Sequence, residues 1–251
     1  MPGNFFWYDL VTSDIEAAAK FYGDVIGWTH QEMSQPGQTY SVFNVDGVGV
    51  AGLMPFPEGM TGHPGWNGYI AVDDVDDTAR RIRDAGGTIH RGPIEVPDII
   101  RFAVVSDPQG AVFLVAKPLA ARPTAELAVG TLGTIGWREL FAADWKTDFE
   151  FYERLFGWTK AEAHDMGEAG IYQLFAAGGA AIGGMMNRPP VMPMSWWNYY
   201  INVEAIDAAA ARIGRAGGSV KMGPMQVPGG QWVVQAQDPQ GAYFALVAPK
   251  R

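Results

Sequence analysis

Asp107-Pro108-Gln109-Gly110-Ala111 recurs as Asp238-Pro239-Gln240-Gly241-Ala242, an offset of 131 residues (107 to 238). Working back from this turn, Ala85-Gly86-Gly87 returns as Ala216-Gly217-Gly218, and Trp66-Asn67-Gly68-Tyr69-Ile70 as Trp197-Asn198-Tyr199-Tyr200-Ile201. Phe21-Tyr22 with Gly27-Trp28-Thr29 returns as Phe151-Tyr152 with Gly157-Trp158-Thr159. Trp7-Tyr8-Asp9-Leu10 returns as Trp137-Arg138-Glu139-Leu140, at 130 residues (7 to 137). A register kept to one residue over the whole chain marks a duplicated domain. The period exceeds the roughly 20–50 residues of solenoid and propeller units and suits one ordinary domain of about 100–150 residues per copy. The expected division is a first domain over 1–118, a linker over 119–132 and a second domain over 133–251.

Within each copy the hydrophobic spacing alternates between two periods. Asp14 stands at a helix N-cap position, Ala18, Phe21, Tyr22 and Val25 follow at helical spacing, and Gly27 ends the pattern. Asp144, Phe151, Tyr152, Leu155 and Gly157 repeat it. A second helix carries Val75, Ala79 and Ile82 and stops at Gly86-Gly87; its counterpart runs through Ile206, Ala210 and Ile213. Strands are expected over 5–11, 39–45, 48–54, 68–72, 102–106 and 111–116, with weaker ones over 28–33 and 88–91. The class is therefore α+β: tandem domains, each of paired βαβββ units whose long sheet curves around a cup-shaped cavity.

Composition narrows the function. A net charge of −9 argues against a nucleic-acid partner, which needs a basic face. No apolar run approaches the roughly 18 residues of a membrane span, and the N-terminal stretch enters strand-like sequence without a charged leader. The chain has no cysteine, which removes disulfides, thiolate ligands and a cysteine nucleophile, and suits a reducing cytoplasm.

The order of motifs, an aspartate-capped helix ending in FY…GW, a second strand–helix unit ending at Gly-Gly, and a DPQGA turn into the final strand, resembles the vicinal oxygen chelate superfamily of glyoxalase I, bleomycin-resistance proteins and extradiol dioxygenases. The tandem form is similar to an actinobacterial group related to a mycobacterial culture-filtrate antigen and often labelled glyoxalase or hydroxylase. The resemblance implies one cup per copy. It also implies where metal ligands stand in metal-using members, on the first strand, on a middle strand and on the last. Carried over, those positions are Trp7, Asn67 and Leu114 in one copy and Trp137, Asn198 and Ala245 in the other. Indole and alkyl groups do not ligate metals, and catalytic iron sites use two histidines and a carboxylate. His30, His63, His90 and His164 fall elsewhere and have no counterparts between copies, so they read as surface histidines. No metal and no cofactor is expected.

What stands in place of a metal set is polar and aromatic. Strand alternation puts Asp9 on the face of Trp7, and Glu139 on that of Trp137. If those faces line the cups, burial raises the carboxyl pKa toward an acid–base range, making Asp9 and Glu139 the candidate catalytic groups; the competing reading is a buried acid satisfied by an indole, a phenol or an arginine. Asn67 and Asn198, with Tyr69 and Tyr200 two residues on, offer hydrogen bonds to a ligand, or bridge strands. Trp66, Trp196, Trp197, Trp232, Tyr40 and Tyr172 are expected as aromatic rims or walls, whereas Trp28 and Trp158 are expected in the core. Arg101, aligned with Trp232, is expected to pair with Asp9 or hold an anionic group. The glycines of 48–52 and 180–184 lack the lysine of a phosphate loop and read as strands that leave space.

Two function classes follow. One is a metal-free protein that binds or sequesters a small aromatic or amphipathic metabolite, monomeric by default because fusion already pairs the copies, with a homodimer as the alternative. The other is a metal-independent enzyme of small-molecule metabolism, a hydroxylase, cyclase or isomerase, using the cup carboxylates. Metal-dependent lyase or dioxygenase chemistry is disfavoured by the residues.

Overall fold

Asp14 opens the first helix from an extended backbone, and its carboxylate accepts the N–H of Ala17 at 3.0 Å, satisfying one donor that a helix start leaves free. Helix α1 (Ile15–Ile26) buries Ala18, Ala19, Phe21, Tyr22 and Val25, and stops at Gly27 in left-handed backbone (φ 93°). Asp144, α3 (Trp145–Phe156) and Gly157 repeat the arrangement. Helix α2 (Val75–Asp84) is capped by Asp74, but its counterpart α4 (Ile206–Arg215) has Ala205 there and no side-chain cap.

The computed structural model describes residues 3–34, 39–57, 59, 62–120 and 127–251, so part of the expected linker, 121–126, lies outside the described residues. The first copy's strands are β1 (Phe5–Thr12), β2 (Thr29–Glu32), β3 (Ser41–Val45), β4 (Val48–Pro55), β5 (Gly65–Ala71), β6 (Thr88–Val96), β7 (Ile100–Ser106) and β8 (Val112–Pro118). The second copy's are β9 (Ile135–Ala142), β10 (Thr159–Asp165), β11 (Ile171–Ala176), β12 (Ala181–Asn187), β13 (Trp196–Asn202), β14 (Ser219–Gln226), β15 (Trp232–Gln237) and β16 (Tyr243–Ala248). They form two eight-stranded sheets of matching order, β2-β3-β4-β1-β5-β8-β7-β6 and β10-β11-β12-β9-β13-β16-β15-β14. The class is α+β with tandem βαβββ repeats, as expected. Strand β6 runs past the expected Arg91 to Val96, through Pro93. A proline fits because β6 is an edge strand whose register shifts between Arg91 and Ile94.

By contacts the chain divides into two compact units that cross the repeat. One comprises Met1–Phe6, Asn67–Thr124 and Arg138–Trp197; the other comprises Trp7–Trp66, Ala125–Trp137 and Asn198–Arg251. Each therefore combines a βαβββ half of one copy with a half of the other.

Each unit is centred on a fully buried tyrosine. In one, Tyr22 accepts from the Trp66 indole at 2.9 Å and donates to Asp238 at 3.2 Å. In the other, Tyr152 accepts from Trp197 at 2.9 Å and donates to Asp107 at 3.0 Å. The same aspartates fold the DPQGA turns: Asp107 accepts the N–H groups of Gln109 and Ala111, and Asp238 those of Gln240 and Ala242. The most recognisable repeat in the sequence is thus a structural anchor. Burial pushes both phenols and both carboxyls up from their ordinary ranges. Trp28 and Trp158 lie in the core as expected, and Trp158 stacks on Tyr152 at 4.8 Å.

One core position breaks the symmetry. Asp148 of α3 stands where the first copy has Ala18 and is wholly buried; among the described residues neither oxygen makes a hydrogen bond of good geometry, and the Gln109 side chain nearby offsets only part of the burial cost. Burial, then Asp107, then Asp144 push its carboxyl up to about 8. The folded-state pKa lies above the ordinary 3.8, so the destabilisation is absent below that value, grows as pH rises, and is complete above the folded pKa. Asp148→Ala is therefore expected to raise stability at pH 8.5 by about 1–3 kcal/mol. It is also expected to flatten the fall in melting temperature between pH 5 and 8; equal slopes in variant and parent would refute the assignment.

Candidate functional site

Strand β1 lies parallel to β4 with Asp9 opposite Gly52. Alternation sends Tyr8 and Leu10 into the core and leaves Trp7 and Asp9 on the other face. Asp9 is 4% exposed, and its Oδ1 accepts from Trp7 Nε1 at 2.9 Å and from the Tyr40 hydroxyl at 2.8 Å. The Trp7 indole also reaches the Tyr40 oxygen at 3.0 Å, closing a three-membered network. Gly52 makes it possible: a Cβ there would stand 2.0 Å from the Tyr40 oxygen and 2.1 Å from Asp9 Oδ1. Gly49 likewise lies under the Trp7 ring. The glycines of this strand thus leave space that Trp7, Asp9 and Tyr40 fill.

The second copy builds the same arrangement. Strand β9 pairs with β12 so that Glu139 faces Gly184, and the Tyr172 ring lies over that glycine, 2.2 Å from where a Cβ would sit. Glu139 is buried, and Tyr172 half-buried.

On β13, Asn198 and Tyr200 share a face and are both buried. Tyr200 packs with Val233, Ala245 and Val247, and the half-buried Trp137 lies against them. The Tyr200 hydroxyl accepts from Gln235 Nε2 at 2.8 Å, a partner that sequence reasoning missed because Gln235 aligns with Val104 of the first copy. On β5, Asn67 is half-buried, and Tyr69 packs edge-on against Phe6 at 6.2 Å.

The expectations for Trp66, Trp197 and Arg101 need correction. Trp66 and Trp197 are not cavity walls: each donates to a core tyrosine and is buried among aromatic rings. The reason is strand period, since Trp66 and Trp197 are immediate neighbours of Asn67 and Asn198 and so point the opposite way. Arg101 holds Asp76 through two bonds of 2.7 and 2.8 Å, with Glu95 at 3.5 Å; the carboxylates it binds are not the one proposed, and its guanidinium holds the Asp76 carboxyl low. Trp232, half-buried at the start of β15, carries the Arg251 guanidinium 5.2 Å above its ring. His30, His63 and His90 are exposed, and His164 is half-buried beside Glu162.

The positions that would hold a metal in metal-using relatives of this fold do not suit one. Trp7 spends its indole N–H on Asp9 and Tyr40, Leu114 and Ala245 are buried hydrocarbon, and Asn67 and Asn198 are amides. Among the described residues, no three His, Asp or Glu side chains cluster to hold a metal ion.

The family model described as the Glyoxalase/Bleomycin resistance protein/Dioxygenase superfamily matches residues 4–115 and again 134–246. The chain is 34% identical to the putative glyoxylase CFP32 of Mycobacterium tuberculosis, covering 97% of this chain and 94% of that protein. It is 32% identical to the anthracycline biosynthesis protein DauV of a Streptomyces species, covering 98% and 93%. In fold it is similar to the Mn(II)-bound glyoxalase from Novosphingobium aromaticivorans, with a TM-score of 0.68 at 17% identity over 99% of this chain and 82% of that one.

The tyrosine-over-glycine arrangement gives a direct test. Gly52→Ala is expected to destabilise the chain by about 1–3 kcal/mol, and by less in a Tyr40→Ala background, where much of the clash is gone. Denaturant unfolding of the four-member mutant cycle reads the coupling; strictly additive costs would contradict the geometry.

Proposed function

Because this chain belongs to the Glyoxalase/Bleomycin resistance protein/Dioxygenase superfamily in tandem form, we propose that it binds a small, flat aromatic or amphipathic metabolite, and does so without a catalytic metal. The observation that carries this reading is the network around Asp9. At the first-strand position where metal-using relatives place a ligand, this chain has an indole whose N–H is committed to a carboxylate and a phenol. Glu139 beside Trp137, and Asn67 and Asn198 on the middle strands, offer polar groups suited to a ligand's hydroxyl or carbonyl. Tyr40, Tyr69, Tyr172, Tyr200, Trp137 and Trp232 supply aromatic surface for stacking.

The relatives' names support small-molecule metabolism, one being an anthracycline biosynthesis protein and another a putative glyoxylase. On this reading the chain acts as a monomer in a reducing cytoplasm, without nucleic-acid or membrane partners. No helix among the described residues is long and apolar enough to cross a membrane.

One observation favours a catalytic version. The Tyr40 hydroxyl donates directly to Asp9, so a proton arriving at or leaving Tyr40 has a buried carboxylate to exchange with. In that version Asp9 is the acid–base group and Tyr40 its contact to substrate, with Glu139 in the corresponding place in the second copy.

Titration of intrinsic tryptophan fluorescence with a panel of hydroxylated polycyclic aromatics should give saturable quenching that chelator treatment leaves unchanged. A panel without any saturable response would contradict the binding reading. If turnover of a bound compound is found, Asp9→Asn or Glu139→Gln should lower kcat by about 10²-fold or more; unchanged kcat in both variants would remove the catalytic version.

A further inference from the structure

The two copies differ in one row of side chains across their sheets. In the second copy, Tyr200 is the cross-strand neighbour of Ala245, and Ala245 that of Gln235. Side chains in such a row stand on the same face. The Gln235 amide reaches over the alanine methyl to donate to the Tyr200 hydroxyl at 2.8 Å. In the first copy the same row reads Tyr69, Leu114 and Val104. There the leucine occupies the middle of the row, and the valine has no polar group to offer the tyrosine.

Beside this row stands a second polar group. Asn198 lies two residues before Tyr200 on β13 and is 4% exposed. Its Oδ1 is buried and has no hydrogen-bond partner among the described residues. A buried acceptor left unmade costs about 1–3 kcal/mol, and a ligand that donates a hydrogen bond there recovers it. The surroundings are apolar and aromatic: Trp137 and Val233 pack against Tyr200. Such a site discriminates strongly, because an analogue lacking the donor leaves the buried acceptor unpaired.

We propose that the second copy is the selective binding site, and that its Asn198 Oδ1 accepts the hydroxyl proton of a planar aromatic alcohol. Gln235 acts as the positioning residue, fixing the Tyr200 phenol through its 2.8 Å hydrogen bond on the face that Asn198 shares. The inference rests on the binding reading above and adds the ligand class and the copy that selects it.

The test uses the full chain and two probes differing only at the donor, 2-hydroxyanthraquinone and 2-methoxyanthraquinone, followed by tryptophan quenching. The parent chain should bind the hydroxyl compound at least tenfold tighter, the size of one such hydrogen bond. Asn198→Leu should abolish that preference by weakening the hydroxyl compound alone. Gln235→Val, which reproduces the other copy's valine, should cut the preference roughly threefold or more, and carries the test if Asn198→Leu does not fold. A preference that survives both Asn198→Leu and Gln235→Val overturns the proposal while leaving the binding reading in place. Failure of both probes to bind the parent chain overturns the binding reading itself, and this inference with it.

Discussion

A buried tyrosine hydroxyl, made twice, sets the geometry of the whole chain. Tyr22 and Tyr152 each take an indole N–H on one side and give a proton to an aspartate of a DPQGA turn on the other. Neither phenol has access to water, so each bond left unmade would cost the full desolvation of its partner. The indoles are thereby committed to the core side of β5 and β13. Strand alternation then leaves no choice for their neighbours: Asn67 and Tyr69, and Asn198 and Tyr200, must occupy the opposite face. The candidate recognition groups are thus placed by the packing of residues that never meet a ligand.

On that face the two copies keep one arrangement and vary another. A carboxylate beside a glycine, with a tyrosine laid over the gap, is retained in both, as Asp9, Gly52 and Tyr40 and as Glu139, Gly184 and Tyr172. The glycine is the price of burying an acid and a phenol in one place. The row across the later strands has diverged, from Tyr69, Leu114 and Val104 to Tyr200, Ala245 and Gln235. A core position has diverged too, Asp148 replacing Ala18, and so has a helix cap, Ala205 replacing Asp74. Such unequal drift fits a duplication in which the copies need not perform the same task.

Much of the fold was legible before any coordinates. The repeat, the aspartate caps of α1 and α3 and the glycine stops located the four α-helices of the described residues, and strand pattern located the sheets, because each signal is local. The exchange of halves between compact units was not legible, since it depends on contacts that no local period encodes. The candidate site was legible only in part. Alternation correctly grouped Trp7 with Asp9, but aromatic character was allowed to override the same rule at Trp66 and Trp197. Gln235 was invisible because its meaning comes from a hydrogen bond across two strands, 35 residues from Tyr200. Arg101 was assigned by charge alone, and charge does not say which of several nearby acids an arginine will choose; here Asp76 offers it a two-bonded grip.

Membership of a superfamily named for glyoxalases and dioxygenases would ordinarily invite a metal-centred mechanism. The side chains argue otherwise, since the three positions that matter carry indole, amide and hydrocarbon in both copies. The most direct test is metal stoichiometry. The purified chain is equilibrated anaerobically with Fe(II), Mn(II) or Zn(II), passed through a desalting column and analysed for metal, with ligand titration of the same sample before and after loading. The account predicts metal far below one ion per chain and the same ligand affinity in every sample. One or two tightly held ions per chain, with ligand binding that depends on them, would contradict it.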